Sequence, residues 1–284
     1  MPVAKTPRSK SVRGTSSPGP SAVARTSPRA LSRDLAGACR TKPATSEGGR
    51  DAPKARLETP PLPLPNARRL FRRRLLDWYR RNGRDLPWRR TRDPYHILVS
   101  EVMLQQTQVD RVLPKYAEWL GKYPTLEALA TAPEDDVSET WRPLGYNIRP
   151  RRLHAIAKES VAKYGGELPG DHETLLSFKG IGAYTAGAVL SFAFGQREAI
   201  LDTNVARVLF RVFVGRGNPK AHAMRTQLWT LSRTLLPVRH VFDFNQALMD
   251  FGATLCTARK PKCLLCPMRQ SCAAYPFNPD NERA

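Results

Sequence analysis

Leu176-Ser177-Phe178-Lys179-Gly180-Ile181-Gly182-Ala183-Tyr184-Thr185-Ala186-Gly187 is the stretch on which the reading of this chain turns. Gly180 and Gly182 stand one residue apart between two segments of helix-compatible composition. The spacing therefore predicts two helices joined by a tight hairpin near residues 172–190. Such a hairpin turns backbone N–H groups and a helix N-terminus toward solvent, where they grip a phosphate without reading any sequence. A single Gly-x-Gly is weak on its own, because any helix–turn–helix can use one. Downstream stands Asp202, 18 residues beyond Tyr184, in Ala199-Ile200-Leu201-Asp202-Thr203-Asn204-Val205. Locally Asp202 reads as a helix N-cap, ahead of an apolar stripe formed by Val205, Val208, Leu209 and Val212.

Outward from the hairpin the texture is helical. Apolar residues recur at helical spacing in Phe71, Leu75, Trp78 and Tyr79, then in Tyr116, Trp119 and Leu120, then in Leu126 and Leu129. Asn82-Gly83, Gly145 and Gly165-Gly166 punctuate helix-length segments, and no useful alternating run suggests a strand. From residue 67 to 255 the expectation is an all-α domain without internal repeats. Residues 1–66 differ: they hold 11 of the 25 prolines and 12 basic against 4 acidic residues, with no periodicity. Such a segment buries too little apolar area to offset its ordering entropy, so it reads as a disordered basic arm. A cytoplasmic, nucleoid-associated protein is the expectation, with an organellar transit peptide, also basic and acid-poor, as the alternative reading of the arm.

The chain has 284 residues, with 46 Lys and Arg against 25 Asp and Glu, a formal net charge of +21. A globular domain gains no stability from charge so one-sided, which points to a polyanionic partner. No apolar run is long enough for a membrane span, and no basic amphipathic helix stands apart from the core pattern, so nucleic acid is the reading.

Four of the five cysteines form a set near the end of the chain, Cys256-x6-Cys263-x2-Cys266-x5-Cys272, while Cys39 stands alone. Four thiolates on a short loop bind either a tetrahedral zinc ion or a [4Fe–4S] cluster, and ligand type alone does not separate the two. The x6, x2, x5 spacing resembles the cluster loop of the endonuclease III superfamily of base-excision glycosylases. That resemblance implies a [4Fe–4S] cluster over residues 256–272, followed by a short tail, residues 273–284. Arg259, Lys260 and Lys262 within the loop face phosphate or simply solvent.

A third signal is Leu86-Pro87-Trp88-Arg89-Arg90, leading into Ile97-Leu98-Val99-Ser100-Glu101-Val102-Met103-Leu104-Gln105-Gln106-Thr107. Glu101 lies inside an apolar run. There a carboxylate is costly unless paired, and desolvation raises its pKa toward the value that suits a general acid. The alternative is a glutamate on a wet helix face. The words Ser100-Glu101-Val102-Met103-Leu104-Gln105-Gln106-Thr107-Gln108 resemble those of the MutY-type adenine DNA glycosylases. Leu144-Gly145-Tyr146, Phe244-Asn245-Gln246-Ala247 and Lys260-Pro261-Lys262-Cys263 extend the likeness over about residues 68–276.

That likeness implies the helix–hairpin–helix glycosylase fold, two helical lobes with a C-terminal cluster loop, acting as a monomer on mismatched double-stranded DNA. It implies Glu101 as the acid on the leaving adenine and Asp202 facing the cationic sugar, supported by Asn204 and Tyr184. Trp88, Arg89, Leu104 and Gln246 would line the base pocket, Gln106 and Tyr146 would wedge into the stack, and Gly180 and Gly182 would hold phosphate. Strand-nicking relatives keep a lysine where Tyr184 stands, so a monofunctional enzyme is expected.

Two features depart from the pattern. The chain ends 12 residues after Cys272, where such enzymes continue into a domain that recognises 8-oxoguanine. The usual double tyrosine is here Tyr146-Asn147, and Arg92-Asp93-Pro94-Tyr95 also resembles thymine glycosylases of T:G or U:G mismatches. A non-catalytic DNA-structure binder would need the cluster, hairpin and charge but neither Glu101 nor Asp202. An endonuclease III-like lyase would need the lysine.

Overall fold

The computed structural model describes residues 62–282, so residues 1–61, which hold most of the basic arm and Cys39, and the last two residues lie outside it. Among the described residues there are eleven α-helices and no strand. The first helix starts earlier than expected. α1 spans Pro65–Asn82, taking in the last two residues assigned to the arm. A proline at the first helical turn sacrifices no hydrogen bond and its φ is already helical, so Pro65 opens the helix.

The helices fall into two groups. One runs consecutively: α2 Pro94–Leu104, α3 Val109–Lys122, α4 Leu126–Thr131, α5 Glu134–Trp141, α6 Ile148–Tyr164, α7 His172–Ser177 and α8 Ala183–Phe192. The other combines α1 with α9 Thr203–Phe213, α10 His222–Leu235 and α11 Val241–Asp250. α1 packs on α11, α10 on α9, and α2 on α3, α6 and α8, while α11 touches α8 and joins the groups. Arg72 of α1 donates to the carbonyls of Thr234, Leu235 and Leu236, closing the end of α10.

α2 and α8 carry little helical periodicity because they are buried nearly all round; residues 97–103 of α2 and 185–192 of α8 are all buried. α2 starts where it does because Asp93 accepts from the N–H groups of Tyr95 (2.8 Å) and His96 (3.1 Å), with Pro94 at the first position. Glu101 is thereby carried into the middle of the molecule. α7 and α8 are the two helices expected around the glycine hairpin. Gly180, at φ +110°, turns the chain, and a side chain there would meet the Arg152 side chain. No helix of the described residues is long and apolar enough to cross a membrane.

Candidate functional site

A cavity of about 840 Å³ opens between the two helix groups. Trp88, Arg89, Glu101, Leu104, Gln106, Tyr184, Asp202, Asn204 and Gln246 line it, so nine residues picked out from sequence meet in one place. They arrive from distant elements: the turn before α2, α2 itself, the start of α8, the start of α9, and α11.

Glu101 is 4% exposed. The Tyr184 hydroxyl donates to its Oε2 at 2.7 Å and lies 3.3 Å from the Met249 sulfur. Burial pushes the Glu101 carboxyl up to about 7; the Tyr184 hydrogen bond and Arg89 pull it down, and Asp202 raises it further. Tyr184 is held as a neutral phenol well above its ordinary range, first by burial and then by the negative charges beside it. It is a donor and not a nucleophile.

Asp202 caps α9, as its position predicts. Its Oδ1 accepts from the Val205 N–H at 2.6 Å and its Oδ2 from Asn204 Nδ2 at 2.9 Å. The chain of bonds continues: Arg207 donates to Asn204 Oδ1 (2.8 Å), to the Gly252 carbonyl (2.7 Å) and to the Cys256 carbonyl (2.9 Å). Asp202 is thus tied, through Asn204 and Arg207, to the first residue of the cysteine set. Arg207 was not foreseen from sequence, although it lies one helical turn beyond Asn204 on the same face.

Arg89 lines the cavity, but its donors are largely committed. It forks onto Asp250 with bonds of 2.7 and 2.8 Å and also donates to the Arg84 carbonyl. Arg84 reaches the same carboxylate from its own side chain and backbone N–H. Asp250 is fully buried, and although burial alone would raise its carboxyl, Arg89 and Arg84 hold it below the ordinary range. Reasoning from sequence missed Asp250, yet its signal was that of Glu101, one acid within the apolar run Leu248-Met249-Asp250-Phe251.

Gln246 is 3% exposed, and its Oε1 has no hydrogen-bond partner in the protein, nor has Arg89 Nε. Unmet buried polar atoms in a cavity wall are groups that a bound ligand can satisfy. Gln106 is exposed at the cavity mouth, in a left-handed conformation at φ 55°. Tyr146, 59% exposed with φ 53°, lies outside the cavity lining. Gly180 and Gly182 are likewise apart from it, on the exposed hairpin.

Cys256, Cys263, Cys266 and Cys272 surround a second, apolar-walled cavity with Val212, Phe251, Leu255 and Phe277. They form no disulfide, and among the described residues no three such side chains converge as ligands of one metal ion do. Four thiols standing around a cavity can hold a polynuclear cluster between them. Burial raises the thiols of Cys256, Cys272 and Cys266, the last to about 12, so loading with metal must release protons. Buried Arg211 of α9 donates to Cys256 Sγ (3.7 Å) and to the carbonyls of Thr257 (2.7 Å) and Ala258 (2.9 Å), and pairs with Glu282. The tail beyond Cys272 is therefore docked, with the N–H groups of Ala273 and Ala274 donating to Val212 and Arg211.

Residues 99–234 match the model of the HhH-GPD superfamily base excision DNA repair protein. A solved thermostable thymine-DNA glycosylase is 35% identical, with a TM-score of 0.70 covering 75% of this chain and 98% of that one. This chain belongs to the HhH-GPD superfamily. Within it, residues 256–272, which hold all four of these cysteines, match the iron–sulfur binding domain of endonuclease III, and the cofactor is a [4Fe–4S] cluster. The HhH-GPD chain is also 46% identical over 213 residues to the adenine DNA glycosylase of Homo sapiens, covering 72% of this chain and 39% of that protein. To the adenine DNA glycosylase of Mycobacterium tuberculosis it is 46% identical over 197 residues, covering 68% and 64%. It therefore spans roughly two fifths of the human relative and somewhat under two thirds of the mycobacterial one.

Proposed function

We propose that the protein is a monofunctional adenine DNA glycosylase acting, as a monomer, on adenine mispaired with guanine or 8-oxoguanine. The observation that carries this is the 2.7 Å bond from Tyr184 to a buried Glu101, in the same cavity as Asp202. Hydrolysis of an N-glycosidic bond needs a proton on the leaving base and negative charge near the sugar. A carboxyl poised near 7 can be protonated at neutral pH and still give its proton up.

Glu101 delivers that proton as the C1′–N bond breaks, its electron pair leaving with the base. The Asp202 carboxylate, fixed in place by bonds from the Val205 N–H and Asn204, faces the cationic C1′. Water then adds at C1′ and loses a proton to the site, leaving an abasic sugar. Tyr184 offers no amine for a Schiff base, so strand cleavage does not ensue. Gln246 Oε1, unpartnered in the wall, suits the exocyclic amine of adenine. The +21 charge and the glycine hairpin supply phosphate grip independent of sequence.

A second reading, excision of thymine or uracil opposite guanine, is favoured by the 35% identity to a thymine-DNA glycosylase covered almost end to end, and by Tyr146-Asn147. Single-turnover excision on duplexes with A:G, A:8-oxoG, A:C, T:G and U:G separates the two. Cleavage at adenine, visible only after hot alkali and without borohydride trapping, is the expected result. Cleavage confined to T:G and U:G would transfer the assignment to the second reading.

A further inference from the structure

Three non-glycine residues among those described have a left-handed backbone, and two of them are Gln106 and Tyr146. That conformation is unfavourable for a side-chain-bearing residue and persists only where its surroundings impose it. Gln106 comes just after α2 and Tyr146 just before α6, yet one side chain serves both.

Arg149, at the start of α6, is 4% exposed. Its Nη1 donates to the carbonyls of Val102 (3.0 Å), Met103 (3.1 Å) and Gln105 (2.5 Å). Its Nη2 donates to the carbonyls of Leu144 (3.3 Å) and Gly145 (3.1 Å) and to Thr107 Oγ1 (3.3 Å). Gln105 and Gly145 are the residues immediately before Gln106 and Tyr146. The guanidinium therefore holds the carbonyl that leads into each left-handed step, while capping the end of α2. Its central carbon also lies 5.2 Å from the Tyr146 ring centroid and 5.4 Å from that of Trp141.

We propose that Arg149 is a positioning residue, a clamp that presets the Gln106 and Tyr146 loops as one wedge for entering the base stack. The inference rests on the glycosylase reading above. Extruding a base from a duplex costs its stacking and pairing, and side chains that fill the gap offset this best when already ordered. Only a planar fork reaches acceptors on both loops at once; the point charge of a lysine cannot.

Arg149→Lys and Arg149→Gln test this with two readouts, so that a failure of either variant to fold leaves the other. The first is amide hydrogen exchange on the free protein, which requires no activity. Exchange at residues 104–108 and 144–148 should quicken together, about tenfold or more, while α8 and α9 stay as in the parent. The second is single-turnover excision of adenine from a stacked A:G duplex and from a single-nucleotide bulge, where the base is already unpaired. A loss of about tenfold or more on the duplex, against less than about twofold on the bulge, is expected. Loops that exchange as in the parent, loosening of one loop alone, or equal losses on both substrates would overturn the clamp. If the parent excised adenine from neither substrate, the proposed function would fall, and hydrogen exchange alone would decide the clamp.

Discussion

Glu101 carries its cost in the open. Its folded-state carboxyl is raised from 4.5 to about 7, so the folded protein binds a proton more tightly than the unfolded chain does. Stability from this group is complete below about 4.5 and is lost as the pH rises through about 7, a span worth roughly 3 kcal/mol. Glu101→Gln should abolish that part of the pH dependence, seen as a melting temperature that no longer falls across this window. In single-turnover excision the parent should lose rate by about tenfold per pH unit above about 7, as the acid form disappears; a rate flat from pH 6 to 9 would remove Glu101 from the role. Glu101 and Asp202 were legible because an acid in an apolar run and an acid before a helical stripe each break a local pattern. Asp250 broke the same pattern unnoticed. What it holds, Arg84 and Arg89, lies more than 160 residues away, and no local signal announces a partner at that range. Asp250→Asn leaves two arginines facing a lost charge, and should cost about 3–5 kcal/mol in urea unfolding, whereas a surface control such as Asp85→Asn should leave the urea midpoint near the parent's.

Among the elements, the caps and the hairpin with its two flanking helices were readable, while periodicity said little of the buried helices. Asp202 at the start of α9 and the glycines between α7 and α8 are positions where backbone geometry restricts the residue type, so local sequence suffices. α2 and α8 are apolar on every side, and helical periodicity vanishes when both faces meet protein. α1 begins at Pro65 because a proline that ends a loop in composition can equally begin a helix. The role of Arg149 is hidden for a related reason, since its acceptors are carbonyls and a carbonyl leaves no mark on residue identity. The hairpin bears its own test: Gly180→Ala forces a side chain against Arg152 at φ +110°. Duplex binding should weaken by about tenfold while iron content and excision at saturating enzyme stay near the parent's, as expected for a phosphate grip separate from the cavity.

Across the whole molecule, the cavity lies between a consecutive bundle, α2 to α8, and a second group that gathers α1 with α9 to α11, so that Glu101 and Tyr184 come from one group and Asp202 and Gln246 from the other. The cluster loop braces the second group. Arg211 binds the loop to α9 and Arg207 runs from the Cys256 carbonyl to Asn204 and so to Asp202. Loss of iron should therefore lower the melting temperature and slow excision together, and protein stripped of iron that keeps parental values of both would leave the cluster without a structural part. Glu101 as the acid on a leaving adenine is tested most directly by single-turnover excision from an A:G duplex at pH 7, comparing the parent with Glu101→Gln and measuring duplex binding alongside. A loss of about a hundredfold or more in rate, with binding retained, is the predicted result. Excision by Glu101→Gln at near-parental rate would contradict it.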